Sequence, residues 1–96
     1  VLYDSNSNTV NNNNADYNAY TGIVISNADF NTVNHNTTYA NGYGIDVYRS
    51  DSNTLVNNAA DDNSYYGFVD ESGADNKFNR NECSGNGTAG SYPAGL

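Results

Sequence analysis

The sequence predicts an all-β fold, a parallel β-helix (solenoid) of about four coils with 22–23 residues each. Two observations lead to this prediction. Asparagine-led triplets recur every 22 or 23 residues, and apolar residues alternate with polar ones inside each repeat. A repeat of this length is typical of solenoids, in which each coil contacts only its neighbours. An asparagine-rich disordered tract would have no reason to keep such regular spacing.

The asparagines fall into three columns, the second and third each lying five residues after the one before. The first column contains Asn8, Asn31, Asn53 and Asn76; the second Asn13, Asn36, Asn58 and Asn81; and the third Asn18, Asn41, Asn63 and Asn86. Where a solenoid backbone turns a corner, its N–H and C=O groups leave the strand ladder and need partners. An inward asparagine amide can bond such a group and its own copy in the next coil, so we expect three structural asparagine ladders.

Each coil is expected to contain three short strands separated by corners. One of these strands follows a glycine, as in "GIVI" and "GIDV", whose alternation points Ile23, Ile25, Ile45 and Val47 inward. The stacked inward columns are then Leu2, Ile25 and Val47; Val10, Val33, Leu55 and Phe78; Ala15, Thr38, Ala60 and Cys83; and, at a corner, Ser5, Ala28, Ser50 and Gly73. Asp70 falls in the Leu2 column although it is charged, which predicts a capping role at the end of the stack.

The matching pattern Gly-Ile-x-Val-x-x-Ser-x-x-Asn-x-Leu, with asparagines five and ten residues further on, runs from Gly44 to Asn63. It resembles the right-handed parallel β-helix repeats of the pectate-lyase-like superfamily, and most closely the NosD-like repeats, also called carbohydrate-binding and sugar-hydrolase repeats. The resemblance implies a right-handed solenoid over residues 1–86. Residues 87–96, "GTAGSYPAGL", depart from the pattern and are expected to form a C-terminal tail or linker.

Charge and composition limit the partners. Three Lys and Arg residues against 11 Asp and Glu give a net charge of -8, which argues against nucleic acid. No stretch approaches the roughly 18 apolar residues of a membrane span, so we expect no membrane insertion. The sequence begins at Val1 without a recognisable leader or cap, and we expect a mature product or excised piece. Further β-helix coils or end-to-end self-association are the expected partners of its open ends.

The sequence predicts no cofactor. Some members of the resembled family serve copper-enzyme maturation, but copper needs thiolate, thioether or imidazole ligands, and the chain has only His35, Cys83 and no methionine. Calcium is the alternative, because Asp16 and Asp61 flank Tyr39 in one outward column. Calcium takes six to eight oxygens, however, and no dense acidic loop is present, so a solvated acidic face is the preferred interpretation.

The stretch "YGIDVYR" contains the substrate-binding candidates Tyr43, Asp46, Tyr48 and Arg49, and Tyr66 occupies the position equivalent to Tyr43. Exposed tyrosines in rows can stack on sugar rings while nearby polar groups bond hydroxyls. The stretch is similar to the Tyr-Gly-Phe-Asp-Pro-His motif of mannuronan epimerases, but Val47 and Tyr48 replace the proline and histidine. We therefore assign no catalytic residue. The preferred interpretation of Asp46 and Tyr48 is that they simply form the outward half of a strand, and sugar binding is favoured over catalysis as a functional role.

Together these features predict a β-helical repeat segment of a secreted or cell-surface protein, either polysaccharide-binding or structural. The alternative is part of a polysaccharide lyase, hydrolase or C5-epimerase whose catalytic residues lie partly outside this segment. For the segment alone we favour a non-enzymatic role. A short outward column of Thr9, Thr32 and Thr54 also admits ice binding, although Lys77 interrupts it.

Overall fold

A computed structural model describes residues 1–72 and 75–96, which form thirteen strands and, within these ranges, no helix. Gly73, predicted at a corner, lies outside the described residues. The strands are β1 Leu2–Tyr3, β2 Thr9–Asn11, β3 Asn14–Asp16, β4 Thr21–Ser26, β5 Thr32–Asn34, β6 Thr37–Tyr39, β7 Tyr43–Tyr48, β8 Thr54–Val56, β9 Ala59–Asp61, β10 Tyr66–Asp70, β11 Lys77–Asn79, β12 Glu82–Ser84 and β13 Ala89–Tyr92. In the described part of the chain, no helix is long and apolar enough to cross a membrane.

The strands stack into three parallel sheets. The first sheet has the order β1-β4-β7-β10-β13, the second β11-β8-β5-β2 and the third β12-β9-β6-β3. Each strand therefore pairs with the strand three places later, which lies one coil further along the axis. This confirms the predicted parallel β-helix of about four coils, and right-handed crossovers are the usual hand for connections between parallel strands.

The strand register confirms the predicted inward columns. Leu2 pairs with Ile25 and Ile25 with Val47. The second column runs Val10, Val33, Leu55 and Phe78, and the third runs Ala15, Thr38, Ala60 and Cys83. Like side chains therefore lie above like side chains, and the middle coils enclose a fully buried core around Ile25, Val33, Ile45 and Leu55.

The asparagine ladders form as predicted. Asn58 is representative: its Oδ1 accepts hydrogen bonds from the Asn36 backbone N–H at 2.9 Å and from Asn36 Nδ2 at 3.0 Å. Its Nδ2 donates to the Val33 carbonyl at 2.9 Å and to Asn81 Oδ1 at 3.0 Å. The amide thus satisfies a corner backbone group and links three coils.

Each ladder asparagine directly follows a residue in the left-handed region. In the second column, Asn12, His35, Asn57 and Arg80 have φ between 53° and 57° and precede Asn13, Asn36, Asn58 and Asn81. This conformation is unfavourable for residues other than glycine and turns the chain out of the strand. The N–H of the turning residue still bonds the next coil, as His35 does to the Val56 carbonyl at 3.2 Å. The following N–H needs a side-chain oxygen, which explains why asparagine recurs there.

The first sheet continues into the residues that we expected to form a tail or linker. Ala89–Tyr92 form β13, which pairs in parallel with β10 through Tyr66–Ala89, Phe68–Ser91 and Val69–Tyr92. Leu96 packs against the core at this end. Cys83 is in the predicted inward column but is exposed, because the last coil has a stacked neighbour on one side only.

Candidate functional site

A row of tyrosines lies along the first sheet, at the corner where β7 and β10 begin. Tyr43 and Tyr66 each precede a buried glycine, and their rings are stacked with centroids 6.3 Å apart and an interplanar angle of 10°. Tyr92 extends the row, with its ring centroid 5.8 Å from that of Tyr66. The ring centroid of Tyr65 lies 5.3 Å from that of Tyr43. These separations are within the usual range for aromatic pairs. The rings therefore form an aromatic strip that runs across successive coils.

The strip forms one wall of an open groove of about 710 Å³. The groove is lined by Tyr43, Tyr66, Val69, Asp70, Glu71, Ser72, Tyr92 and Pro93. Among the described residues, no basic side chain lines it. The groove therefore combines apolar ring faces with carboxylate oxygens, a pairing that suits a ligand with both apolar faces and hydrogen-bond donors.

Asp70, whose charge is out of place in an apolar column, caps the end of the first asparagine ladder. It pairs in register with Val47. Its Oδ1 accepts hydrogen bonds from the Ser72 N–H at 3.1 Å, the Ser72 hydroxyl at 2.6 Å and Asn76 Nδ2 at 3.2 Å. This agrees with the predicted capping role, while the side chain also contributes to the groove wall.

Asp46 lies on the outer face of β7, between Val24 and Val69 in the neighbouring strands. Its Oδ1 is buried and has no hydrogen-bond partner in the described part of the chain. Burial, followed by the negative charges of Glu71 and Asp70, raises the pKa of Asp46 from 3.8 to about 6. The side chain is thus electrostatically coupled to the groove without lining it.

Tyr48 and Arg49 form a separate pair. The guanidinium carbon of Arg49 lies 5.0 Å from the Tyr48 ring centroid, within cation–π distance. Tyr48 pairs in register with Ser26 of β4. Neither Tyr48 nor Arg49 lines the groove. Of the five predicted binding residues, the structure brings Tyr43 and Tyr66 together in the groove, couples Asp46 to it by charge, and places Tyr48 and Arg49 elsewhere on the sheet.

Two groove residues, Tyr92 and Glu71, were missed as binding candidates by sequence reasoning. Tyr92 was assigned to the tail, although Gly90 follows Gly67 by 23 residues and so continues the repeat. Glu71 belongs to an outward column with Tyr3, Ser26 and Tyr48, a mixed set of side chains that gives no signal of a binding residue. The groove depends on a corner where three coils meet, which strand alternation alone does not define.

The other acidic residues that we considered as ligands satisfy backbone groups. Asp16 Oδ1 accepts from the Tyr39 N–H at 3.1 Å, and Asp61 Oδ1 accepts from the Ser84 N–H at 2.9 Å. Like the ladder asparagines, both aspartates use Oδ1 to accept a hydrogen bond from a backbone N–H of a neighbouring coil, but they do so on the outer surface. Among residues 1–72 and 75–96, no group of three or more His, Cys, Asp or Glu side chains is placed to hold a metal ion.

Comparison with known proteins gives a family for this chain. Residues 1–94 match the family model described as periplasmic copper-binding protein (NosD). No curated protein matches the chain, and no solved structure does. The family match covers nearly all the coils, including the strand β13.

Proposed function

The chain belongs to the NosD family, described as periplasmic copper-binding proteins, and we propose that this β-helical repeat segment binds polysaccharide along its tyrosine groove. The observation that carries the proposal is the stacked pair of Tyr43 and Tyr66, with Tyr92 beside it in the same groove. Sugar rings stack on such apolar ring faces, and carboxylates accept hydrogen bonds from sugar hydroxyls. The word periplasmic in the family description supports a place outside the cytoplasm.

Copper is not part of the function that we propose for this segment. Copper sites in proteins take thiolate, thioether or imidazole donors. The sequence provides one cysteine, one histidine and no methionine. His35 follows β5 of the second sheet, whereas Cys83 belongs to β12 of the third sheet, two coils away. This donor set does not fit a copper site, so the copper binding in the family description is not assigned to these residues.

Binding to short oligomers of neutral, amino and uronate polysaccharides, measured by calorimetry, tests the proposal. Tyr66→Ala should weaken binding about two- to tenfold, since an aromatic contact contributes roughly 0.5–1.5 kcal/mol. Tyr17→Ala is the matched control, because Tyr17 is 76% exposed and pairs with Tyr39 on another sheet. Equal losses in the two variants, or no binding to any oligomer, would overturn the proposal and leave a structural role.

The same panel tests an enzymatic alternative, which one observation favours. A carboxyl group whose pKa is about 6, as for Asp46, suits proton transfer near neutral pH. A polysaccharide lyase, hydrolase or epimerase would release product from the panel, and Asp46→Asn would abolish that product. Binding without any product supports the non-catalytic function.

A further inference from the structure

The charges around the tyrosine groove are of one sign. Asp70 and Glu71 line it. Burial, followed by the negative charges of Glu71 and Asp70, raises the pKa of Asp46 on the outer face of β7. The three Lys and Arg residues do not line it. Arg49 packs on Tyr48, Lys77 lines a different hollow with Thr54 and Asp75, and Arg80 follows β11 in the second sheet. A ligand in the groove therefore meets aromatic faces and negative potential together.

We propose that the groove selects a glycan whose sugars carry protonated amino groups, that is, a hexosamine polymer, over neutral and uronate polymers. This inference rests on the proposed function and assigns its ligand class. A carboxylate accepts a charge-assisted hydrogen bond from an ammonium group, and such bonds are shorter and stronger than neutral ones. An ammonium group is also attracted to the face of a tyrosine ring, whereas a uronate carboxylate is repelled by the acidic wall.

Glu71 is the residue that makes this contact in our proposal. Its side chain is exposed, and its backbone N–H bonds the Val47 carbonyl at 2.9 Å, which fixes the start of the segment after β10. The Oδ1 atom of Asp70 is already occupied by Ser72 and Asn76. Asp46 does not line the groove, so it makes no contact with the ligand in this proposal.

Two oligomers of the same sugar backbone isolate the amino group: a short glucosamine oligomer and the same oligomer with every amine acetylated. Binding is measured by calorimetry under mildly acidic conditions, in which the sugar amine is protonated. The amino oligomer should bind about two- to fivefold more tightly for each ion pair at the surface. The difference should shrink as salt is added. A galacturonate oligomer should bind more weakly than either.

The variant Glu71→Gln should remove the preference for the amino oligomer while leaving the acetylated oligomer bound. Because a chain with a net charge of -8 attracts any polycation, Glu82→Gln is the matched control. It removes the same charge from an exposed position on β12, in the third sheet. The amino oligomer should also lower the pKa of Asp46, followed by carboxyl NMR, because a nearby positive charge favours the carboxylate.

The outcomes distinguish failure of the amino-sugar preference from failure of polysaccharide binding itself. Equal binding of the two glucosamine oligomers, weakened by Tyr66→Ala, overturns the amino-sugar preference and keeps the polysaccharide site. If Glu82→Gln and Glu71→Gln weaken binding of the amino oligomer equally, the attraction is non-specific, and the proposed preference is also overturned. Failure of all three oligomers to bind overturns both proposals.

Discussion

At the scale of single residues, the buried asparagines carry the structural information of this polar chain. Asn58 is only 1% exposed, yet all of its amide atoms are paired, with Asn36, Val33 and Asn81. A buried polar group that is fully paired contributes modestly to stability, but its removal leaves partners unpaired at about 1–3 kcal/mol each. The ladders are therefore positions where substitution is costly even though no apolar contact is lost.

The substitution Asn58→Ala should lower the free energy of unfolding by about 3 kcal/mol, because it strands the Asn36 N–H and the Val33 carbonyl. The measurement is chemical denaturation followed by circular dichroism. The control is Asn14→Ala, since Asn14 is an exposed asparagine on β3 outside the columns and should change stability by less than about 0.5 kcal/mol. Equal losses in the two variants would contradict the ladder interpretation.

Asp46 should make stability depend on pH in the sense opposite to a salt-bridged aspartate. Its folded pKa of about 6 lies above the ordinary value of 3.8. Between these values the folded chain holds a proton that the unfolded chain has released, so stability falls as the pH rises from 3.8 to about 6. Asp46→Asn should therefore stabilise the chain at neutral pH, by about 1 kcal/mol after allowance for solvent screening.

The gain from Asp46→Asn should disappear below pH 3.8, where both states are protonated. Unfolding free energies of the two proteins across this range provide the measurement. Asp4→Asn, at an exposed position outside the strands, corrects for the general benefit of removing one negative charge from an acidic chain. A constant difference between Asp46→Asn and the parent at every pH would show that the effect is not the titration of Asp46.

At the scale of the strands, one glycine column sets how closely β4, β7 and β10 approach the third sheet. A Cβ atom at Gly44 would lie 2.7 Å from Thr38 Oγ1 and 2.9 Å from Ala60 Cβ, and would also strike the Gly67 carbonyl. The glycine before each apolar pair is therefore required by close packing between sheets. Tyr43 and Tyr66 directly precede Gly44 and Gly67, and their side chains form the groove wall.

The substitution Gly44→Ala should lower the free energy of unfolding by about 1–3 kcal/mol, as expected for an overpacked core. Gly90→Ala provides the comparison, because a Cβ at Gly90 meets only the exposed Cys83 side chain, with Sγ at 2.5 Å. That side chain can rotate away, so Gly90→Ala should cost clearly less. A similar cost at both glycines, measured by thermal unfolding, would show that backbone packing does not distinguish the coils.

The strands differ in how far the sequence predicts them. Columns with repeated chemistry, such as Val10, Val33, Leu55 and Phe78, were predicted because stacking requires like above like. The strand Ala89–Tyr92 was not, because Ser91 replaces the apolar residue of Ile45 and Phe68, and its alternation has no apolar signal. Of the residues that line the groove, only Tyr43 and Tyr66 were predicted as binding candidates, since Glu71 reaches the groove from the corner after β10 and Tyr92 reaches it from the last strand.

At the scale of the whole molecule, the asparagine ladders have a direction. The Oδ1 atom of each later coil accepts from the N–H of the earlier coil, as Asn36 Oδ1 does from Asn13 and Asn58 Oδ1 does from Asn36. Within residues 1–72 and 75–96, the Oδ1 atoms of the first-coil ladder residues Asn8, Asn13 and Asn18 accept no hydrogen bond, so this end presents acceptors. The opposite end presents the backbone N–H groups of Asn81 and Asn86. The two ends are complementary in hydrogen bonding.

The end face formed by the first coil is also apolar. Leu2 and Val10 are partly exposed, whereas their stacked partners Ile25 and Val33 are completely buried. With Val1, Asn13 and Ile23 they line a hollow of about 250 Å³. We propose that a further coil of the same repeat stacks here, and that in a solution of this chain alone a second copy supplies it, head to tail.

Self-association of the 96-residue chain should therefore rise with concentration, as measured by sedimentation equilibrium, and depend on the first-coil face. Val10→Lys places a charge within the hollow at this end and should weaken association, because the charge would be buried unpaired in the stack. Thr9→Lys is the matched control, since Thr9 is its exposed neighbour on β2 and Lys77 occupies the same column in the last coil. Circular dichroism of both variants establishes that the coils are folded. A chain that stays monomeric at every concentration would contradict head-to-tail stacking on the first-coil end. An equal effect of Val10→Lys and Thr9→Lys on the association constant would contradict it as well.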